Sequence, residues 1–156
     1  MEAGKPAPNF ALKDQDGTSH TLSDYANKYL VIYFYPKDNT PGCTKESCTF
    51  RDNIDEFTNA NCAVLGVSAD SAASHEKFIA KYNLNFPLLV DEEKEMLQAY
   101  GAWGEKNNYG KKYMGIIRST AIIGPDGTLL KHWKTVRGAE DHPLKVLEAL
   151  KELQAQ

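Results

Sequence analysis

The sequence has 156 residues but no long hydrophobic run, no cluster of basic residues and few cysteines. No apolar stretch approaches the roughly 20 residues that a membrane-spanning helix needs, so we expect no membrane span. The formal net charge is −3, and without a Lys/Arg-rich run nucleic acid is not an expected partner. The first ten residues show neither the basic region nor the apolar region of a secretory signal, so none is predicted.

The cysteine content is also low, with Cys43, Cys48 and Cys62 as the three cysteines. An odd, small number without a secretory signal argues against a disulfide framework, and it predicts reduced thiols in the cytoplasm. The length predicts a single domain over residues 1–156, large enough to bury about two thirds of its unfolded surface without disulfides. We interpret Cys62, which precedes a predicted strand, as a buried residue without a chemical role.

The hydrophobic pattern predicts an α/β fold. The run YLVIYFY at 29–35 is continuous and rich in β-branched and aromatic residues, which is typical of a central strand covered on both faces. Other predicted strands lie at 9–13, 20–22, 63–69, 86–90, 118–124 and 128–134. Predicted helices lie at 42–59, 74–83, 92–101 and 143–153, with a glycine-rich loop at 101–115. This order favours a central mixed sheet flanked by helices, preceded by an N-terminal β-hairpin.

Cys43 lies in the first turn of the predicted helix 42–59. Thr40 is the candidate N-cap, and Pro41 then occupies the first helical position, where its missing N–H costs nothing. The free N–H groups and the dipole at a helix start favour a thiolate. Cysteines placed in this way have pKa values lowered from about 8.5 to 3.5–7.5. The pattern therefore predicts a reactive cysteine, with Pro36 stiffening the preceding loop.

Cys48 follows Cys43 by five residues in the same predicted helix. In a regular helix their Cα atoms would be about 8.6 Å apart, whereas a disulfide needs less than about 7 Å. The two cysteines therefore either never pair or pair only when the helix unwinds. A zinc site would need four ligands, and no other Cys/His pair has suitable spacing, so we predict no metal.

The segment YFYPKDNTPGCTKESCTFRDN, residues 33–53, resembles the active-site segment of the peroxiredoxins. Their signature is Pro-x3-Thr/Ser-x2-Cys, which corresponds here to Pro36, Thr40 and Cys43. Three further features resemble the subgroup called peroxiredoxin Q or bacterioferritin comigratory protein. They are the cysteine five positions later, the segment AWGEKNNYGKKYMGIIRST and the segment IGPDG. The resemblance covers about residues 3–153. It implies a thioredoxin-like fold with an N-terminal β-hairpin extension, no cofactor and often a monomeric protein.

The resemblance also implies an activity and residue roles. Cys43 would be the peroxidatic cysteine, Cys48 the resolving cysteine of the same chain, and Arg118 the arginine beside the thiolate. The implied enzyme reduces hydrogen peroxide and organic hydroperoxides to water and alcohols through a Cys43 sulfenic acid. An intramolecular disulfide would follow, and thioredoxin or a similar dithiol would reduce it. Such a peroxidase serves redox homeostasis and antioxidant defence.

Two alternatives remain at this point. A thiol–disulfide oxidoreductase of thioredoxin type normally uses C-x-x-C, whereas four residues separate Cys43 from Cys48 here. A redox sensor would use the same sulfenic acid to report peroxide to a partner. Rapid turnover with peroxide and a reductant favours an enzyme, whereas one stoichiometric oxidation favours a sensor.

Overall fold

The computed structural model describes residues 1–156 and contains five α-helices and nine β-strands. The helices are α1 Pro41–Asp52, α2 Ile54–Asn59, α3 Ala72–Tyr82, α4 Glu95–Ala99 and α5 His142–Gln154, and a 3₁₀ helix spans Leu22–Tyr25. The strands are β1 Ala11–Lys13, β2 Ser19–Thr21, β3 Tyr29–Phe34, β4 Cys62–Ser68, β5 Leu88–Val90, β6 Trp103–Asn108, β7 Lys111–Ile116, β8 Ser119–Ile123 and β9 Leu129–Trp133. None of the helices combines the length and the apolar character that crossing a membrane requires.

Five strands form the central sheet in the order β5-β4-β3-β8-β9. Strand β4 is parallel to β3, and β5 is parallel to β4. Strand β8 is antiparallel to β3, and β9 is antiparallel to β8. The predicted mixed sheet is therefore confirmed. Strands β1 and β2 form the predicted N-terminal hairpin, which joins the sheet edge through a bridge between Asp14 and Leu89.

Strand β3 lies in the middle of the sheet and is buried on both faces, as its sequence predicts. Successive side chains of a strand point to opposite faces, and β3 supplies two separate apolar clusters. Leu30, Ile32 and Phe34 lie in one cluster, and Val31, Tyr33 and Tyr35 lie in the other. The second cluster packs beneath α1, α3 and α5, and it includes Cys43. Burial of each large side chain contributes roughly 1.5–3 kcal/mol to stability.

The predicted helix 42–59 is wrong as a single element, because the chain forms α1 and α2 with a break at Asn53. Asn53 has φ −114° and ψ 10°, outside the range of a regular helix. Its side-chain amide donates to the Thr49 carbonyl oxygen at 2.8 Å. Asparagine side chains bond to nearby backbone groups in this way and so compete with helical hydrogen bonds.

The predicted loop 101–115 is also wrong, because β6 and β7 form a hairpin there. Tyr109 and Gly110 lie at the turn with φ values of 52° and 80°. Two successive positive φ values are typical of the tight turns that join hairpin strands. The hairpin is mostly exposed and polar, so it lacks the apolar alternation that identifies a half-buried strand.

The register of the sheet decides which residues meet at its edge. Phe34, at the end of β3, pairs with Val67 of parallel β4 and with Ser119 of antiparallel β8. The start of β8 therefore lies beside the end of β3, where the chain turns into the loop before α1. Arg118 directly precedes Ser119 and so reaches this edge. Functional residues gather at the carboxyl ends of parallel strands in such sheets.

Candidate active site

Cys43 is the third residue of α1, and its side chain is 1% exposed. Thr40 occupies the N-cap with extended backbone, and Pro41 follows at the first helical position. The Thr40 hydroxyl donates to the Lys37 carbonyl oxygen at 2.8 Å rather than capping the helix. The first N–H groups of a helix have no acceptor within it, and the positive potential at a helix start favours negative charge on a side chain of the first turn such as Cys43.

Arg118 lies directly beside Cys43. Its Nη2 donates to the Cys43 Sγ at 3.2 Å, and its Nη1 donates to Glu46 Oε1 at 2.6 Å. The Arg118 side chain is 17% exposed, so solvent screens its charge only in part. A cation at this distance stabilises negative charge on the sulfur.

Glu46 completes the site, although the sequence pattern did not identify it. It follows Cys43 by three residues in α1, and residues at this spacing share a helix face. Its side chain is fully buried, and its Oε2 atom has no hydrogen-bond partner. Burial raises the pKa of Glu46 to about 7, against the opposing effect of Arg118. Burial by itself would lower the pKa of Arg118, but Glu46 and Cys43 outweigh it and raise that pKa.

Gly42 provides the space that the guanidinium occupies. A Cβ atom on Gly42 would lie 3.1 Å from Arg118 Nη2, closer than most such contacts in proteins. The glycine between Pro41 and Cys43 therefore lets the arginine approach the first turn of α1. The sequence pattern alone does not explain a glycine at position 42, because its neighbour Arg118 is distant in the chain.

Pro36 and Cys48 do not hydrogen-bond to the Cys43 sulfur in this structure. Pro36 is partly buried in the loop that follows β3. Cys48 is a partly exposed free thiol in the intact α1. Burial raises the pKa of the Cys48 thiol, Arg51 lowers it and Asp52 raises it further, and the net direction is upward. Cys48 is therefore poorly suited to attack as long as α1 stays folded.

Cys62 is buried at the start of β4, as predicted. It is 5% exposed, and its thiol donates to the Ala63 carbonyl oxygen at 3.4 Å. Burial raises the pKa of Cys62 to about 12. A thiol with this pKa is almost entirely protonated near neutral pH, so it is a poor nucleophile.

One group of potential metal ligands lies near the active-site loop. Ligand atoms of Asp38, Asp70 and His75 lie within 4.8 Å of one another. However, His75 Nδ1 is 2.7 Å from Asp38 Oδ2, and its Nε2 is 2.9 Å from the Leu89 carbonyl oxygen. Both ring nitrogens are therefore engaged, and three ligands are fewer than a structural zinc site uses. These residues fit an internal hydrogen-bond network better than a metal centre.

A buried cysteine at a helix start, beside an arginine at the edge of a mixed sheet, defines a thiol-based oxidoreductase of thioredoxin-like fold. Residues 3–132 match the AhpC/TSA family. The chain is 47% identical over 153 residues to peroxiredoxin Bcp of Bacillus subtilis, covering 98% of this chain and 97% of that protein. It is 41% identical over 152 residues to peroxiredoxin Bcp of Escherichia coli, covering 97% of each.

A solved structure of the Xanthomonas campestris bacterioferritin comigratory protein is also similar. It superimposes with a TM-score of 0.90 at 40% identity, covering 97% of this chain and 99% of the other. The chain therefore belongs to the AhpC/TSA family, among the peroxiredoxins of the Bcp or Q type. It is a thiol peroxidase, with peroxides as substrates and a thiol as reductant.

Replacing Glu46 with Gln should change how stability depends on pH. Burial raises the Glu46 pKa from its ordinary 4.5 to about 7, so the folded state binds an extra proton between these values. The stability that protonated Glu46 contributes to the folded state is fully present below pH 4.5, and it is lost as the pH rises to about 7. Wild-type unfolding free energy should fall relative to Glu46→Gln by on the order of 3 kcal/mol over this interval.

Urea titrations at several pH values would measure this difference. Glu56→Gln is the matched control, because Glu56 is an exposed glutamate of α2. A constant difference between wild type and Glu46→Gln from pH 4.5 to 7 would contradict the assigned pKa.

Proposed function

We propose that Cys43 is the peroxidatic cysteine and that the enzyme reduces hydrogen peroxide and organic hydroperoxides. The observation that carries this proposal is the 3.2 Å contact between Arg118 Nη2 and the Cys43 sulfur at the start of α1. The Xanthomonas campestris protein is described as having alkyl peroxide reduction activity, which supports organic hydroperoxides as substrates here.

The first chemical step oxidises Cys43. Its thiolate attacks one peroxide oxygen and the O–O bond breaks, so that sulfur becomes a sulfenic acid and the other oxygen leaves as water or alcohol after protonation. Negative charge spreads over sulfur and both oxygens in the transition state. Arg118 and the N–H of Cys43 are placed to stabilise this charge. The Thr40 hydroxyl donates to Lys37 at rest and has to turn toward the substrate to assist. We assign Pro36, which is partly buried in this loop, the role of helping to shield the site from water.

The second step forms a disulfide with Cys48. The Cys48 thiolate attacks the sulfenic sulfur, the S–O bond breaks, and the oxygen leaves as water after protonation. The five-residue spacing in α1 keeps the two Cα atoms about 8.6 Å apart, beyond the reach of a disulfide. Disulfide formation therefore requires unwinding of roughly residues 41–50, a local opening at the low end of the stability range.

We further propose thioredoxin or a similar dithiol as the reductant, with the enzyme acting as a cytoplasmic monomer. Unwinding of α1 would expose the disulfide to a protein reductant. Large hydrophobic side chains are exposed at only a few positions: Met1, Tyr109, Tyr113, Met114 and Leu144. Three of the five lie on the β6–β7 hairpin, and so few exposed apolar side chains are normal on a monomer surface. The three unpaired cysteines fit a reducing compartment.

Cys43→Ser should abolish peroxide turnover with a thioredoxin system, because serine is nearly isosteric but does not form the nucleophilic thiolate. Cys62→Ser is the matched control and should retain most of the activity, because the Cys62 thiol is buried and protonated. Peroxide consumption and circular dichroism would be measured for both variants. Substantial turnover by Cys43→Ser would refute the assignment, and one stoichiometric oxidation of wild type would indicate a sensor.

Arg118→Ala and Thr40→Val should each slow the oxidation of Cys43 by on the order of 10²-fold, as expected for loss of a donor to transition-state charge. Stopped-flow measurement of the second-order rate constant with hydrogen peroxide would test each residue separately. Arg137→Ala is the control for removal of a positive charge, since Arg137 is exposed. A variant that reacts at the wild-type rate would remove the corresponding residue from the mechanism.

Cys48→Ser should leave α1 intact after oxidation, so that the Cys43 sulfenic acid accumulates and then over-oxidises in excess peroxide. In wild type, oxidation should remove hydrogen-exchange protection from amides 42–50. Mass spectrometry would identify the disulfide and locate the exchange. Equal protection in both redox states, with a confirmed 43–48 disulfide, would disprove unwinding. A disulfide from Cys43 to Cys62 or to another chain would disprove the role of Cys48.

A further inference from the structure

A buried polar network holds the loop before Cys43. This network is separate from the contacts that Arg118 makes. Its centre is Asp38, which is 6% exposed. Asp38 Oδ1 accepts a hydrogen bond from the Tyr35 hydroxyl at 2.6 Å, and Oδ2 accepts one from the Ser74 hydroxyl at 2.8 Å. His75 Nδ1 lies 2.7 Å from the same Oδ2. The network thus joins the end of β3 to the first turn of α3.

His75 is held through both of its ring nitrogens. His75 is fully buried, and its Nε2 lies 2.9 Å from the Leu89 carbonyl oxygen. A carbonyl only accepts, so Nε2 carries a hydrogen. The other ring nitrogen, Nδ1, shares a hydrogen bond with the Asp38 carboxyl group, which also accepts from Tyr35 and Ser74. Both residues are therefore buried with their polar atoms hydrogen-bonded.

The backbone of Asp38 is fixed independently of its side chain. Its N–H donates to Asp70 Oδ2 at 2.8 Å, and the Ser68 hydroxyl donates to the same oxygen at 2.7 Å. Residue 38 is therefore tied to the ends of β3 and β4 as well as to α3. On the preceding residue, the Lys37 carbonyl accepts the Thr40 hydroxyl at 2.8 Å. The anchored residues thus determine where Thr40 and the start of α1 lie.

We propose that Asp38 and His75 form a positioning pair for the reaction with peroxide. The pair holds the loop 36–40 and so keeps Thr40 and the first N–H groups of α1 in position near the Cys43 sulfur, with the Thr40 hydroxyl within a side-chain rotation of the substrate. This inference rests on the proposed role of Cys43 as the peroxidatic cysteine. Neither residue of the pair contacts the sulfur, so both act through the loop. Breaking the pair leaves a buried polar group with a hydrogen bond missing, and the loop then loses one of its two attachments.

The test compares two reactions of Cys43 in the same protein. Attack on hydrogen peroxide needs the positioned donors, whereas alkylation by iodoacetamide needs only an accessible thiolate. In His75→Asn, quenched-flow mass spectrometry should show at least a tenfold lower rate constant for peroxide, with alkylation changed by less than about threefold. A general loss of structure would instead expose the buried Cys43 and raise the alkylation rate by more than this limit.

A second histidine–aspartate pair provides the matched control. His20 Nε2 lies 2.7 Å from Asp14 Oδ2, and His20 Nδ1 lies 2.7 Å from the Tyr25 hydroxyl. This pair belongs to the N-terminal hairpin region rather than to the active-site loop, so His20→Asn should keep the wild-type ratio of rates. Tyr35→Phe removes one hydrogen bond to Asp38 without exposing a charge and should lower the ratio several-fold, even if His75→Asn does not fold.

The outcomes separate this inference from the proposed function. A lowered ratio in folded His75→Asn or in Tyr35→Phe, with His20→Asn unchanged, supports the positioning pair. Wild-type ratios in the Asp38 network variants, or an equal loss in His20→Asn, overturn the pair and leave the role of Cys43 intact. If wild-type Cys43 is itself not oxidised by peroxide, the proposed function fails, and the pair fails with it.

Discussion

The guanidinium of Arg118 binds two acidic groups at once, the Cys43 sulfur at 3.2 Å and Glu46 Oε1 at 2.6 Å. Glu46 is fully buried with one oxygen unpaired. The positive charge of Arg118 is what stabilises the ionised form of Glu46 against burial. The same cation hydrogen-bonds to the Cys43 sulfur. One guanidinium therefore both binds Glu46 and stabilises negative charge on the Cys43 sulfur. Gly42 leaves the space that this guanidinium occupies.

In the proposed mechanism, the helix that carries these residues has to satisfy two opposing demands. It must be intact to present Cys43 to a peroxide, and it must open before Cys48 can reach the oxidised sulfur. Phe50 stacks on Tyr33 with ring centroids 4.6 Å apart, and the Ser47 hydroxyl lies 2.8 Å from that of Tyr33. These contacts oppose opening and stabilise the reduced form. In the proposed mechanism, oxidation of the Cys43 thiolate would also remove negative charge beside Arg118.

Much of the fold followed from local patterns. The continuous apolar run at 29–35 predicted a central strand, and β3 is buried on both faces. The sequence around Asn53 gave a strong helical period, yet a side-chain hydrogen bond to Thr49 interrupts the helix there. The hairpin of β6 and β7 was missed because its strands are mostly exposed, and exposed strands show no apolar alternation.

The sequence by itself determined the position of Cys43 at a helix start and the inability of Cys48 to pair with it in that helix. Both depend on spacing within one turn or two, which helical geometry fixes. Only the tertiary structure decided that Glu46 pairs with Arg118, and that His75 anchors Asp38. These partners are 72 and 37 residues apart in the chain. They meet because the register of β3 with β4 and β8 brings distant segments to one sheet edge, and no local period encodes that register.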